Sequence, residues 1–355
     1  MNAKNPIIAV IDGGGTYTRL WVVSIKTMSA LEYSDCLASD VTGTMKQYLS
    51  QPDAYAALVI HLLQGMLLGI GCRVQDLDGI IIGSAGIGTP AIATSIRDAF
   101  MKQVIENHSQ HKIFIDCRSD AELALIGCSG SLSSPCLLLN LGTGSIAVGR
   151  MAESKLYRAG GYGLPYSDEG SGTWVVQQFI SKILRVVDSG LSGDTLVRKL
   201  EKKLSFPIAK QPREFLAFVK ENEVSVTEAV LALLENKQLK NHPMINQLLE
   251  GIAEAGASLV QTLSMRMLLN YHIPKIKSPF DGLDDMRLPF KQFPVYLTGS
   301  VARNPKVLPL LKQQILALES GTLYIEEPVG NPMTGGVLLY AKHIGIKRKA
   351  TKKKK

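Results

Sequence analysis

Two short turns carry the residue types that a phosphate group needs. Asp12-Gly13-Gly14-Gly15-Thr16-Tyr17-Thr18 follows the apolar run Pro6–Ile11, and Leu141-Gly142-Thr143-Gly144-Ser145 follows the apolar run Cys136–Leu139. Glycines let backbone N–H groups approach phosphate oxygens with no Cβ in the way. Thr16, Thr18, Thr143 and Ser145 add hydroxyl donors. Asp12, at the end of a strand, can hold Mg²⁺ through an oxygen shell. A tight hairpin that binds nothing would account for one triple-glycine turn, but not for the preceding acid, the alternating threonines and the second copy. Asn140 stands where a strict repeat would put an acid, so the turns are not equivalent and Asp12 is the better metal residue. Facing each other, two such turns would grip a nucleoside triphosphate, which points to an ATP-using enzyme with a cleft between two domains.

Three further groups could do chemistry. Asp120 opens a helix after the strand Ile113–Ile115 and the loop Asp116–Ser119. It suits an N-cap, or a general base that takes a proton from a substrate hydroxyl as it attacks a γ-phosphate. Asp116 is the competing carboxylate. Gly160-Gly161-Tyr162-Gly163 and Ser167-Asp168-Glu169-Gly170-Ser171-Gly172 form the densest polar constellation in the chain, just before a helix at Thr173–Val187. Bare N–H groups, the acids Asp168 and Glu169 and the flat face of Tyr162 suit a polyhydroxylated ligand. Gly299-Ser300-Val301-Ala302-Arg303-Asn304 reads as a strand-to-helix turn that could lie under an adenosine, through Gly299, Ser300 and Asn304; an ordinary βα connection would look similar.

The elements that position these groups are α/β in pattern. Strands are expected at Ile7–Ile11, Leu20–Ile25, Gly79–Ile82 and Ile113–Ile115, and helices at Tyr55–Leu68, Pro90–Gln103 and Asp120–Gly127. The first two strands are too close for a helical crossover and form an antiparallel hairpin. A strand after the Gly-rich turn disfavours a Rossmann unit, which puts a helix there. A second hairpin starts near Cys136. A long helix runs from about His242 to Tyr271 and stops before Pro274. Its run Gly251–Ser258 is small enough to pack closely on a neighbour. Ile273–Phe293 reads as a long surface loop. A strand at Val295–Leu297, a last strand at Thr322–Ile325 and a closing helix at Gly335–His343 complete the chain.

The chain has 355 residues, enough for two domains. Its formal charge of +8 is concentrated in the tail Lys347–Lys355, which carries seven positive charges and leaves about +1 for the body. The body gives no electrostatic case for nucleic acid, and the tail reads as disordered. No apolar run reaches the roughly 20 residues that span a bilayer. The five cysteines, Cys36, Cys72, Cys117, Cys128 and Cys136, show no CxxC spacing. They read as free thiols of a reducing compartment, and with no leader visible a cytoplasmic location is expected. His108 and His111 read as surface residues rather than zinc ligands.

Taken in order, these motifs resemble the sugar-kinase branch of the actin-like ATPase superfamily, most of all the N-acetylglucosamine/glucosamine kinases and the related BadF/BadG/BcrA/BcrD-type ATPases. The likeness covers about residues 7 to 345 and is strongest at Asp12–Thr18, Gly142–Ser145 and Gly160–Gly172. It implies an α/β protein of two ribonuclease-H-like domains flanking a cleft. Residues 1–130, with a closing helix at about 335–346, would form the first domain and residues 131–334 the second, ahead of the tail 347–355. It further implies a kinase using ATP and Mg²⁺ on the 6-hydroxyl of an amino sugar. Gly13–Thr16 and Thr143 would hold phosphates, Asp12 would lie near Mg²⁺ and Asp120 would be the base. Gly161, Tyr162 and Asp168 would lie at the sugar, Gly299 and Ser300 at the adenosine. A homodimer through the second domain is a family expectation.

There are departures. The stretch Ala38-Ser39-Asp40-Val41-Thr42-Gly43-Thr44, read as the loop after the first hairpin, lacks the family's frequent sugar-contacting asparagine. Tyr162 replaces the commoner tryptophan, and Ser300 a frequent glycine. The alternative is an ATPase of the same broad family whose hydrolysis drives a partner protein.

Overall fold

A computed structural model describes residues 5–25, 34–107, 113–151, 155–191, 193–272, 292–318 and 322–345. His108, His111, the tail 347–355 and nearly all of the expected loop Ile273–Phe293 lie outside the described residues. The chain divides into two compact units. The first gathers the described residues of Met1–Cys136, Ala152–Leu156 and Glu327–Lys355, and the second those of Leu137–Met151 and Tyr157–Glu326.

The elements, in chain order, are β1 (Ile7–Gly13), β2 (Tyr17–Ile25), β3 (Ser34–Gly43), α1 (Pro52–Leu68), β4 (Gly79–Ser84), α2 (Pro90–Asn107), β5 (Phe114–Arg118), α3 (Asp120–Ser129), β6 (Cys136–Leu141), β7 (Ser145–Arg150) and β8 (Leu156–Gly160). Then come α4 (Gly172–Asp188), α5 (Thr195–Leu204), α6 (Pro212–Glu221), α7 (Glu223–Leu234), α8 (Pro243–His272), β9 (Phe293–Thr298), α9 (Val307–Ala317), β10 (Leu323–Ile325) and α10 (Pro332–His343). Among the described residues the strands form two five-stranded sheets, ordered β3-β2-β1-β4-β5 and β8-β7-β6-β9-β10. Taken in chain order, both follow the same path: a three-stranded meander, then two strands added beyond its first member. β1 pairs antiparallel with β2 and parallel with β4, and β6 pairs parallel with β9. The chain is therefore an α/β protein with one topology used twice.

The sheet of the first unit is buried on both faces, so β1 is apolar without interruption up to Asp12. Ile7, Ala9 and Ile11 join a core with α1 and α2, including Tyr55, Leu63 and Phe100. Ile8 and Val10 join a second core with Leu123 and Ile126 of α3 and Val337–Tyr340 of α10. Alternation carries Asp12 onto this second face. Two glycines let α3 and α10 touch: a Cβ on Gly127 would meet the Asn331 carbonyl, and one on Gly335 the Leu123 carbonyl. In the second unit α8 packs on β7 and α9. A Cβ on Gly256, within the small-residue run, would lie 2.7 Å from Leu311 Cδ1.

Two expectations are corrected. The stretch Ala38–Thr44 is not a simple loop, because all but Thr44 of it belongs to β3, which pairs with β2 along its length. β3 is an edge strand with a mostly exposed, polar surface, so it lacks the apolar alternation that marks a strand. Asp120 is not the N-cap of α3: the Ser119 hydroxyl accepts from the Glu122 N–H at 3.2 Å.

Candidate functional site

In the first unit the turn is drawn tight by Gly14 N–H donating to the Tyr17 carbonyl at 2.8 Å. Thr44 Oγ donates to the Gly14 carbonyl at 3.0 Å, tying the end of β3 to the turn. Gly13 is needed for space, because a Cβ there would sit 2.7 Å from Ser84 Oγ. Thr16 is part-exposed at the tip. Thr18 is fully buried, opposite Gly13 in the ladder, and its Oγ1 has no hydrogen-bond partner. Its alternation with Leu20 and Val22 turns it toward the α1/α2 core.

The ladder sets Arg19 opposite Asp12. Arg19 Nη1 lies 3.6 Å from Asp12 Oδ2, with the Asp12 side chain 12% exposed and that of Arg19 49%. Asp120, at the start of α3, is close enough for its charge to act on Asp12. Burial first and Asp120 second push the Asp12 carboxyl up to about 6, against the opposing pull of Arg19. Two carboxylates from distant parts of the chain thus act on each other, and one of them, Asp12, pairs with a guanidinium. Such a pair favours additional positive charge, and one or two carboxylates with nucleotide phosphates are a usual Mg²⁺ shell, so these residues fit the metal. Among the described residues no cluster of three or more His, Cys, Asp or Glu side chains forms a closed metal cage.

Asp116 has a different environment from Asp120. Arg118 Nε donates to Asp116 Oδ2 at 2.9 Å, and Arg118 Nη1 pairs with Glu122 Oε1. The two acids hold the Arg118 guanidinium more firmly charged than usual, against its burial. The same three residues strap β5 to the first turn of α3. Ser119 caps the helix, and Arg118 is taken by Asp116 and Glu122.

In the second unit the turn is braced from behind. Gly172 N–H donates to the Gly142 carbonyl at 2.7 Å, and Thr173 Oγ1 donates to the Thr143 carbonyl at 2.8 Å. Gly142 N–H bonds the Gly144 carbonyl. Ser145 is buried, and its Oγ has no hydrogen-bond partner. Asp168 adopts φ +72°, a left-handed conformation unusual outside glycine and seen at strained functional positions. Its Oδ2 would lie 2.9 Å from a Cβ on Gly144, and its Oδ1 is buried without a partner. A buried acceptor aimed at nothing calls for a donor such as a ligand hydroxyl.

Around it, Gly160 and Gly161 take φ +72° and +74°. Arg158 Nη2 donates to both their carbonyls, at 3.1 and 2.9 Å, and its guanidinium stacks 5.0 Å over the Tyr162 ring. Tyr162 is thereby held with 76% of its surface exposed, and Glu169 is exposed beyond it. Gly299, at φ +93°, lies against Leu141 and Asn140, so the Gly299–Ser300 turn packs directly on the second phosphate turn. Asn304 is buried, with Nδ2 donating to Glu235 Oε1 and Oδ1 accepting from Lys306 N–H, both at 2.9 Å. Both ends of its amide are committed to the fold.

Sequence reasoning missed Arg19, Arg158 and the Thr44 tether. Arg19 had a signal: counting outward across the hairpin turn pairs positions 12 and 19. The other two depend on contacts that no local pattern records.

No family model matches the chain. Over 191 residues it is 29% identical to the N-acetylmuramic acid/N-acetylglucosamine kinase of Clostridium acetobutylicum, a match covering 52% of this chain and 58% of that protein. The chain therefore spans less than two thirds of the curated relative it matches. Among solved structures, a candidate N-acetylglucosamine kinase of Chromobacterium violaceum superposes with a TM-score of 0.62 at 20% identity, covering 94% of this chain and 99% of that one. The chain shares the fold of that structure. A ROK family glucokinase of Streptomyces griseus, solved with glucose and AMPPNP, shares the fold with a TM-score of 0.55 at 13% identity, covering 94% and 98% of the two chains. Within the described residues, no helix is long and apolar enough to cross a membrane.

Proposed function

We propose that the protein is an ATP-dependent hexosamine kinase that phosphorylates the 6-hydroxyl of N-acetylglucosamine or glucosamine. The observation that carries this reading is the convergence of Asp12 and Asp120 beside a glycine turn. Separate roles follow from their settings. Asp12 is buried in the sheet end and suits a metal; Asp120 stands at the first residue of α3 and suits proton removal. The names of the relatives agree: the Clostridium acetobutylicum protein acts on N-acetylglucosamine and N-acetylmuramic acid, and the Streptomyces griseus structure holds a hexose and an ATP analogue.

In this reading Asp120 accepts the proton of the sugar 6-hydroxyl as its oxygen attacks the γ-phosphate. N–H groups of Gly13–Thr16 and Gly142–Ser145, with the Thr16 and Thr143 hydroxyls, hold phosphate oxygens as charge shifts onto the leaving group. Thr18 is assigned to the support of its turn, because its hydroxyl is buried. Asp12 would hold Mg²⁺, which when bound would supply positive charge to the phosphates. Asp168 Oδ1 and Glu169 accept from sugar hydroxyls, Tyr162 covers the sugar ring, and Gly299 and Ser300 line the adenosine. Asn304 supports that turn from within.

The test is ADP release from MgATP with glucosamine, N-acetylglucosamine, N-acetylmuramic acid, N-acetylmannosamine and glucose, with the product weighed by mass spectrometry. Stimulation by an amino sugar, with the matching 6-phosphate, is expected. Equal slow hydrolysis with every sugar would overturn the kinase and favour a partner-driven ATPase.

A further inference from the structure

Arg19 already pairs with the one carboxylate that a metal at the first turn would need. The hairpin register fixes Arg19 beside Asp12 on the same sheet face. Its guanidinium stands 3.6 Å from Asp12 Oδ2, beyond ordinary hydrogen-bond length, so the pair is held by charge rather than by close geometry. The two partners differ in freedom: the Asp12 side chain is locked in a buried strand, whereas half the surface of the Arg19 side chain faces solvent. A dication on Asp12 would lie against the guanidinium at ion-pair range, where like charges repel strongly. The displaced arginine would find a better partner nearby, because a triphosphate in the Gly13–Thr16 turn brings several anionic oxygens to the end of the same hairpin. A guanidinium fork matches phosphate geometry.

We propose that Arg19 is an exchangeable cation, which neutralises Asp12 until a metal–nucleotide complex arrives and then transfers to a phosphate oxygen of that nucleotide. The inference rests on the reading that this turn binds a metal–nucleotide complex. It assigns Arg19 two functions: excluding free metal from Asp12, and binding the nucleotide that carries the metal.

The experiment uses Mn²⁺ as the probe on the full chain, read by electron paramagnetic resonance of free Mn²⁺, with and without ATP, in parallel with calorimetric titration. In Arg19→Gln, Mn²⁺ without nucleotide should bind about tenfold or more tighter than in wild type, and adding Asp12→Asn should abolish that gain. Mn²⁺–ATP affinity should fall about tenfold or more. Loss of fold or of packing would not improve metal binding. Should Arg19→Gln fail to fold, Arg19→Lys keeps the charge but loses the fork; it should leave nucleotide-free Mn²⁺ binding as in wild type and weaken Mn²⁺–ATP several-fold. A wild-type chain that binds Mn²⁺–ATP, with variants that bind metal and nucleotide as it does, overturns the exchange alone. A wild-type chain that binds no Mn²⁺–ATP overturns the reading of the site, and the exchange with it.

Discussion

The two Gly/Thr turns occupy the same place in the same topology and have opposite electrostatic characters. The first ends a strand in Asp12, faces Arg19 and feels Asp120. The second has Asn140 in the matching place, and the start of α4 engages its carbonyls. One turn therefore carries titratable charge in its own hairpin, whereas the other is neutral in its own residues and stiffened by hydrogen bonds, with the Asp168 carboxylate supplied from outside it. A repeated topology fixes where a ligand-binding turn falls at the end of a sheet, and the residues flanking it decide what the turn can do. In the proposed function, metal and proton chemistry are assigned to the first turn, and neutral N–H and hydroxyl donation to the second.

Removing the proton acceptor should produce the largest effect. Asp120→Asn is isosteric, and Ser119 rather than Asp120 caps α3, so the fold should survive. Sugar-dependent turnover should fall about 10²- to 10⁴-fold, the range of a lost general base, with ATP affinity within a few-fold of wild type. Parallel loss of ATP affinity would place Asp120 at the nucleotide instead.

The charge of the first turn also has a stability signature. The Asp12 carboxyl titrates near 6 in the fold against an ordinary value of 3.8. The folded state therefore holds the proton more tightly, and stability is lost as pH rises through 3.8 to 6. Asp12→Asn should be more stable than wild type above pH 7 by about 3 kcal/mol, and nearly equal to it below pH 4. Urea titrations at pH 4 and pH 8 measure this. The equivalent Asn140→Ala pair should show no such pH dependence, which is the sharpest contrast between the turns.

Much of this was legible in the sequence, for identifiable reasons. The helix α4 follows from strong periodicity, both hairpins from apolar runs on either side of a Gly-rich turn, and α1, α2, α3 and α8 from apolar content and the proline or glycine beside them. Gly-rich turns announce themselves by composition. β3 was not legible because an exposed edge strand has no buried face to impose alternation. Ser119 as the cap of α3 was hidden by the acid beside it, since serine and aspartate are about equally good caps. The strap from Arg118 to Asp116 and Glu122, the stacking of Arg158 on Tyr162 and the closeness of Asp12 to Asp120 arise from tertiary contact. A single sequence carries no register between β1 and α3, so it could nominate both carboxylates without showing that they meet.

In the second unit the comparison is sharpened by disturbing the neutral turn. Gly144→Ala would place a Cβ 2.9 Å from Asp168 Oδ2, closer than side chains tolerate. Asp168 should be pushed from its position, raising the KM for the sugar about tenfold, the cost of about one hydrogen bond to a charged group. The KM for ATP should change less. An equal rise in both would tie Asp168 to the nucleotide.

The smallest effect tests whether the brace behind the second turn matters to function. Thr173 Oγ1 donates to the Thr143 carbonyl at 2.8 Å, and Gly172 N–H already holds the neighbouring carbonyl of Gly142. Thr173→Val keeps the shape and removes one of these ties, at a cost of about 1 kcal/mol. If the brace only stabilises the unit, the midpoint of denaturation should fall while the KM for ATP stays constant. If it fixes the N–H groups of Gly142–Ser145 toward phosphate, as their assignment requires, the KM for ATP should rise about fivefold and Thr173→Ser should restore it. In the first turn the tether is the Thr44 hydroxyl on the Gly14 carbonyl, so Thr44→Val serves as the counterpart. A larger ATP effect from Thr44 than from Thr173 would mean that the charged turn, rather than the neutral one, depends more on being held still.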